Sequence, residues 1–141
     1  MKRFGLTRWN GGLREGQGAV STESRALENS PYSFFTRYGE KPGTNPEELL
    51  GAAHAACFTM SFVRMLGMVN FVPDRVDSKS DVTIEKEGDG FSITSVHLTV
   101  TAKIPAIDQA TFLSIAAKAK AGCPVYKLMK VEIGFAANPL P

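Results

Sequence analysis

Between residues 46 and 68 the chain reads PEELLGAAHAACFTMSFVRMLGM, apolar around most of the circumference a helix would have. The segments on either side alternate instead with a period of two. A helix that is apolar all round is one enclosed by protein. Its start is marked by Thr44 or Asn45 as a capping side chain, by Pro46 at the first helical position, and by Glu47 and Glu48 facing the positive end of the helix dipole. The pattern predicts one helix over 46–68 at the centre of the fold. Gly51 and the alanines of its first half let neighbouring backbones approach closely, and a second copy of the helix is one candidate neighbour.

Ahead of that helix, KRFGLTRWN and GAVSTES flank the glycine-rich GGLREGQG and read as a hairpin. PYSFFTRYG reads as a third strand, closed off by Pro42, Gly43 and Pro46. After Pro73, RVDSKSDVTIEKE and GFSITSVHLTVTAKI alternate and are joined by GDG, with Val96, Leu98, Val100, Ala102 and Ile104 on one face. IDQATFLSIAAKAKAG is a second helix, capped by Asp108, striped by Phe112, Ile115, Ala116 and Ala119, and stopped by Gly122. CPVYKLM starts a short helix at Pro124, and KVEIGFAA alternates as the last strand. Runs of strands covering helices make the class α+β. The expectation is one domain over 1–141: a β-rich region over 1–43, the central helix 46–68, and a β-β-α-α-β region over 74–137.

Composition narrows the function. A chain of 141 residues fits one domain, and 43% hydrophobic with 21% charged residues is the balance of an ordinary globular protein that needs no disulfide to fold. Sixteen basic against 14 acidic residues leave a formal charge of +2, too small and too dispersed for a nucleic-acid or membrane surface. MKRFGLTRWNGG has no apolar stretch behind its basic residues, so it does not read as a secretory signal. The run after Leu49 is interrupted by His54, Thr59, Ser61 and Arg64, which argues against a membrane span. The expected location is therefore the cytoplasm, where two cysteines are seldom a permanent disulfide.

Those cysteines are the first candidates for chemistry. In an alanine-rich helix Cys57 can be a small buried hydrophobe and nothing more. Cys123 precedes a helix start, where unpaired backbone N–H groups favour the thiolate, although Pro124 removes one such donor. His54, three residues before Cys57, shares nearly the same helix face. A histidine there is commonly a satisfied core residue, and it can also hydrogen-bond near the thiol. Arg37 could be a surface charge, and Glu47 could merely complement the helix dipole.

TNPEELLGAAHAACF together with AKAGCPVYKLMKVEI closely resembles the osmotically inducible protein C (OsmC) family, thiol peroxidases that reduce organic hydroperoxides. GxGxVSTES, PYxFxTR, the proline-glutamate helix start and the Cys-Pro near the C-terminus occur in the family's order, so the resemblance covers essentially the whole chain. The related organic hydroperoxide resistance (Ohr) branch shares the cysteines but lacks the GAAHAAC wording, which puts this sequence nearer the OsmC branch. The resemblance implies antiparallel sheets wrapped around a long central helix in an intertwined homodimer. It implies Cys57 as the peroxidatic thiol, Cys123 as the resolving thiol, and Arg37 with Glu47 as the charged pair beside Cys57.

The chemistry has a use for each of these groups. A thiol attacks an O–O bond as the thiolate, and a guanidinium that is always charged can favour that form and bind the leaving oxygen. Glu47 can hold Arg37 through a bidentate contact. Ten residues of helix rise ~15 Å, so on one straight helix Glu47 and Cys57 of the same chain cannot meet. Either the helix breaks near Gly51 or the pair serves the other subunit's thiol; the second is the simpler reading and agrees with the intertwined dimer that the resemblance implies. Phe34, Phe35, Phe58 and Phe62, with His54, are candidates to line an apolar entry for alkyl or aryl hydroperoxides, and are equally suited to the core.

The implied enzyme needs no metal, haem or flavin: Cys57 becomes a sulfenic acid, Cys123 condenses with it to a disulfide, and an external dithiol, for the family commonly a lipoyl group on a carrier protein, restores both. Two rivals belong to other classes. A zinc protein could use His54, Cys57 and Cys123, with His97 as the one available fourth ligand. A silent binder of small apolar or acyl ligands could keep the fold without the activity.

Overall fold

In the computed structural model, which describes residues 1–131 and 133–141, the first period-two segments fold as β1 (Gly5–Asn10), β2 (Gln17–Thr22) and β3 (Ser30–Tyr32), an antiparallel sheet in that order. The Trp9 and Tyr32 rings meet with centroids 5.3 Å apart over Gly18, where a side chain would collide with both. The expected third strand is only three residues long. Phe34–Tyr38 forms a helix, α1, because Ser33 and Thr36 close a reciprocal cap: Ser33 Oγ accepts from Thr36 N at 3.2 Å and Thr36 Oγ1 accepts from Ser33 N at 2.8 Å. Two satisfied end groups outweigh the strand preference of the aromatic residues. Thr36 Oγ1 also donates to the Thr44 carbonyl at 2.9 Å, tying α1 to the segment that starts the next helix.

That helix, α2, runs Pro46–Met68 without a break. Asn45 is its cap, its Oδ1 accepting from Glu48 N at 2.8 Å. The chain divides into two units, Met1–Leu49 and Leu50–Pro141, and α2 begins in the first and continues through the second.

The second unit adds β4 (Arg75–Glu87), β5 (Gly90–Lys103), α3 (Gln109–Gly122), α4 (Pro124–Leu128) and β6 (Ile133–Leu140). β4 and β5 form the expected antiparallel hairpin, turned at Gly88 with φ 59°. β6 departs from the expected all-antiparallel sheets by joining β5 in parallel. Having left β5 at one end, the chain returns through α3 and α4 and starts its next strand from the opposite end, as a helical crossover requires. Glu132, which belonged to the expected last strand, lies outside the described residues.

The core packs Phe58, Phe62 and Leu66 of α2 against Val96, Leu98, Val100 and Ala102 of β5 and Phe112, Ala116 and Ala119 of α3, all of them almost wholly buried. By length and composition α2 could cross a membrane; this packing places its inner face in a protein core. It is not enclosed on all sides in one chain. Ala52, Ala53, Ala56, Met60, Val63 and Met68 are exposed, Met60 at 76%.

Candidate functional site

In the second unit the two cysteines meet. Cys57 is on the α2 face that α3 covers, where Ser61 Oγ, one turn on, donates to the Ala119 carbonyl at 3.1 Å. Cys123 is the hinge between α3 and α4: its N–H caps α3 on the Lys120 carbonyl, and Pro124 begins α4. The Cys123 thiol donates to Cys57 Sγ at 2.8 Å, and both cysteines are free. Cys57 is half-buried and Cys123 fully buried. Burial, and then the Cys57 sulfur, push the Cys123 thiol above its usual range, while the backbone N–H groups of Tyr126 and Val125 pull the other way. Burial thus favours the protonated form of Cys123.

His54 is also fully buried. Its Nδ1 lies 2.8 Å from Ser80 Oγ on β4, and its Nε2 has no hydrogen-bond partner among the described residues. Burial first and the charge of Lys120 second hold the imidazole pKa down, so the ring is neutral near pH 7. Close approach of the two elements is built in at Gly51, where a Cβ would stand 2.7 Å from the Ser80 carbonyl. Thr59 Oγ1 donates to Ser78 Oγ at 2.7 Å along the same contact. Ser78 and Ser80 were not expected at the site. Their signal was present as polar residues on the apolar phase of a strand, flanked by Val76 and Val82. Lys120 was missed too; its Nζ donates to the Ile133 carbonyl at 2.9 Å and sits 5.3 Å over both the Tyr126 and Phe135 rings.

In the first unit Arg37, on α1, and Glu47, in the first turn of α2, form one ion pair. Nη2 donates to Glu47 Oε1 at 2.7 Å, and Nε lies 3.2 Å from each carboxylate oxygen. Glu47 is buried and raises the guanidinium pKa further, with the Tyr38 ring 5.2 Å from Arg37 Cζ. Phe35 is exposed and Phe34 half-buried under Arg14, whose Cζ is 5.2 Å from the ring. Phe58 is in the core, stacked on Phe62 with centroids 5.7 Å apart.

Among the described residues no three His, Cys, Asp or Glu side chains gather to hold a metal ion. His97 is exposed between the inward-facing Val96 and Leu98, on the sheet face opposite His54, so it does not complete the ligand set that zinc would need.

Two free thiols in contact, one on a long apolar helix and one at a helix junction beside a β4-β5-β6 sheet, define a class of α+β dithiol protein. Residues 39–136 match the family described as OsmC-like protein. Over 129 residues, 92% of this chain and 90% of the relative, the sequence is 49% identical to peroxiredoxin OsmC of Escherichia coli strain K12. Among solved structures, an OsmC-like protein of unknown function from Vibrio cholerae superposes with a TM-score of 0.78 at 12% identity, over 97% of this chain and 99% of that one. The organic hydroperoxide resistance protein OhrB of Bacillus subtilis gives 0.68 at 20% identity, over 97% and 98%. The chain belongs to the OsmC family.

Proposed function

We propose that this protein is a cysteine-based peroxidase that reduces organic hydroperoxides to alcohols. The observation that carries the reading is the 2.8 Å approach of Cys123 Sγ to Cys57 Sγ, in a chain 49% identical to a protein named peroxiredoxin. Cys57, the less buried of the two, is the peroxidatic thiol and becomes a sulfenic acid. Cys123 condenses with it to a disulfide, and an external dithiol, a lipoyl group on a carrier protein, returns both to thiols.

Arg37, fixed by Glu47, binds the reacting oxygens and favours the thiolate. Because α2 is unbroken, Glu47 and Cys57 of one chain are ~15 Å apart along its axis, and the pair serves the thiol of a second copy. The exposed stripe Ala52, Ala56, Met60 and Val63 supports a homodimer built on this helix. Phe34 and Phe35 line the approach for an alkyl or aryl group. The chain works as one domain, in the cytoplasm, in defence against oxidative and osmotic stress.

The test is consumption of cumene hydroperoxide with dihydrolipoamide, compared with thioredoxin and glutathione. Turnover with the lipoyl dithiol, lost in Cys57→Ser, supports the proposal. An inert parent that forms no disulfide would leave the ligand-binding alternative standing.

A further inference from the structure

Cys123 is fully buried and protonated, and among the described residues the acceptor of its S–H is Cys57 Sγ at 2.8 Å. A thiol attacks a sulfenic acid as its thiolate, so resolution requires Cys123 to lose this proton after Cys57 has reacted. Other groups are badly suited to the transfer. His54 has its Nδ1 on Ser80 and a depressed pKa, which makes it a poor base, and Arg37 is held charged by Glu47 and does not give up a proton.

We propose that Cys123 is the general acid of the first half-reaction as well as the nucleophile of the second, its proton passing to the alkoxide that leaves the hydroperoxide. The proposal rests on the peroxidase reading above. The Cys57 thiolate attacks the terminal oxygen of ROOH: an S–O bond forms, the O–O bond breaks, and RO⁻ departs with the electron pair, leaving Cys57 as S–OH. Cys123 protonates RO⁻ to ROH and is left as a thiolate. The transfer runs strongly downhill, since an alkoxide is a base of about hydroxide strength and a thiol is a far stronger acid than the alcohol formed. The new thiolate, favoured by the N–H groups of Tyr126 and Val125, attacks the Cys57 sulfur. The S–S bond forms, the S–O bond breaks, and the departing hydroxide takes up the proton that Cys57 shed on ionising. Two thiols and ROOH give one disulfide, ROH and water. Proton loss from Cys123 is thereby coupled to the step that creates its electrophile, and the buried thiol is unreactive until Cys57 has been oxidised.

The experiment is single-turnover oxidation of Cys57, followed by stopped flow, with two oxidants that differ in leaving group. Cumene hydroperoxide expels a basic alkoxide that needs a proton; peracetic acid expels acetate, which does not. Reduced parent, Cys123→Ala and Cys123→Ser are compared by the ratio of the two rate constants. In Cys123→Ala the cumene hydroperoxide rate is expected to fall roughly 100-fold relative to the peracetic acid rate, the low end of what a general acid contributes, with Cys123→Ser, which keeps a hydroxyl donor, in between. An unchanged ratio in Cys123→Ala overturns the proposal, whether or not both absolute rates fall. A parent that reacts with neither oxidant overturns the peroxidase reading itself, so the two failures are distinguishable.

Discussion

Arg37 grips Glu47 through two nitrogens, Nη2 at 2.7 Å from Oε1 and Nε at 3.2 Å from both carboxylate oxygens, with the carboxylate buried. This fork fixes the plane of the guanidinium, and a lysine, with a single ammonium, cannot reproduce it. Arg37→Lys is expected to lower kcat/KM for cumene hydroperoxide roughly 100-fold, the cost of losing one aligned donor. Glu47→Gln keeps the shape and loses the charge, with an expected loss of about tenfold. Steady-state kinetics with a dithiol reductant measure both. Parental kinetics in Arg37→Lys would remove the pair from the reaction.

The contact between Cys123 and Cys57 predicts different failures for the two thiols. Cys57→Ser is expected to be inactive. Cys123→Ser is expected to complete one turnover and then stall, its Cys57 trapped as the sulfenic acid or driven on to the sulfinic acid by excess peroxide. Intact mass of the oxidised parent should show an intramolecular disulfide. Repeated turnover by Cys123→Ser with the same dithiol would contradict a resolving role for Cys123.

His54 links stability to pH. Its folded-state pKa is pushed below the unfolded value near 6.5, so the unfolded chain binds the extra proton first as the pH falls. The contribution of the neutral ring is complete above about pH 6.5 and is lost as the pH drops towards the folded-state pKa. The urea midpoint of the parent should therefore fall between about pH 7.5 and 5.5, and His54→Gln should flatten that slope. An identical slope in the variant would assign the acid sensitivity to other groups.

Gly51 tests how closely α2 approaches β4. Glycine to alanine inside a helix ordinarily gains about 1 kcal/mol. Here the added Cβ would stand 2.7 Å from the Ser80 carbonyl, a backbone atom that moves only with its strand. Gly51→Ala is expected to destabilise by about 1–3 kcal/mol, read from denaturant unfolding, and a stabilised variant would show that the contact relaxes freely.

Asn45→Ala removes the cap of α2 and the contact from Asn45 Nδ2 to the Thr36 carbonyl at 3.4 Å. The expected cost is about 1 kcal/mol, or roughly 2–4 °C in Tm. An unchanged Tm would mean that Thr44 or water replaces the cap.

By itself the sequence determined what depends on chain neighbours. Asn45, Pro46 and the acidic first turn set the start of α2, and alternation with a glycine turn at Gly88 set the β4 and β5 hairpin, because caps, backbone angles and periodicity act within a few residues. The same logic governed α1, but the strand-like aromatics Phe34 and Phe35 obscured the Ser33 and Thr36 cap. Residue type and the helix start at Pro124 made Cys57 and Cys123 candidates, while likeness to OsmC sequences supplied their roles and brought out Arg37 and Glu47; nothing in the spacing of the four along the chain did so. Tertiary structure alone decided that β6 lies parallel to β5, that His54 meets Ser80, and that Cys123 arrives at Cys57. These are pairings across long stretches of chain, fixed by how α3 and β4 pack on α2, and a one-dimensional pattern carries no term for which buried face finds which.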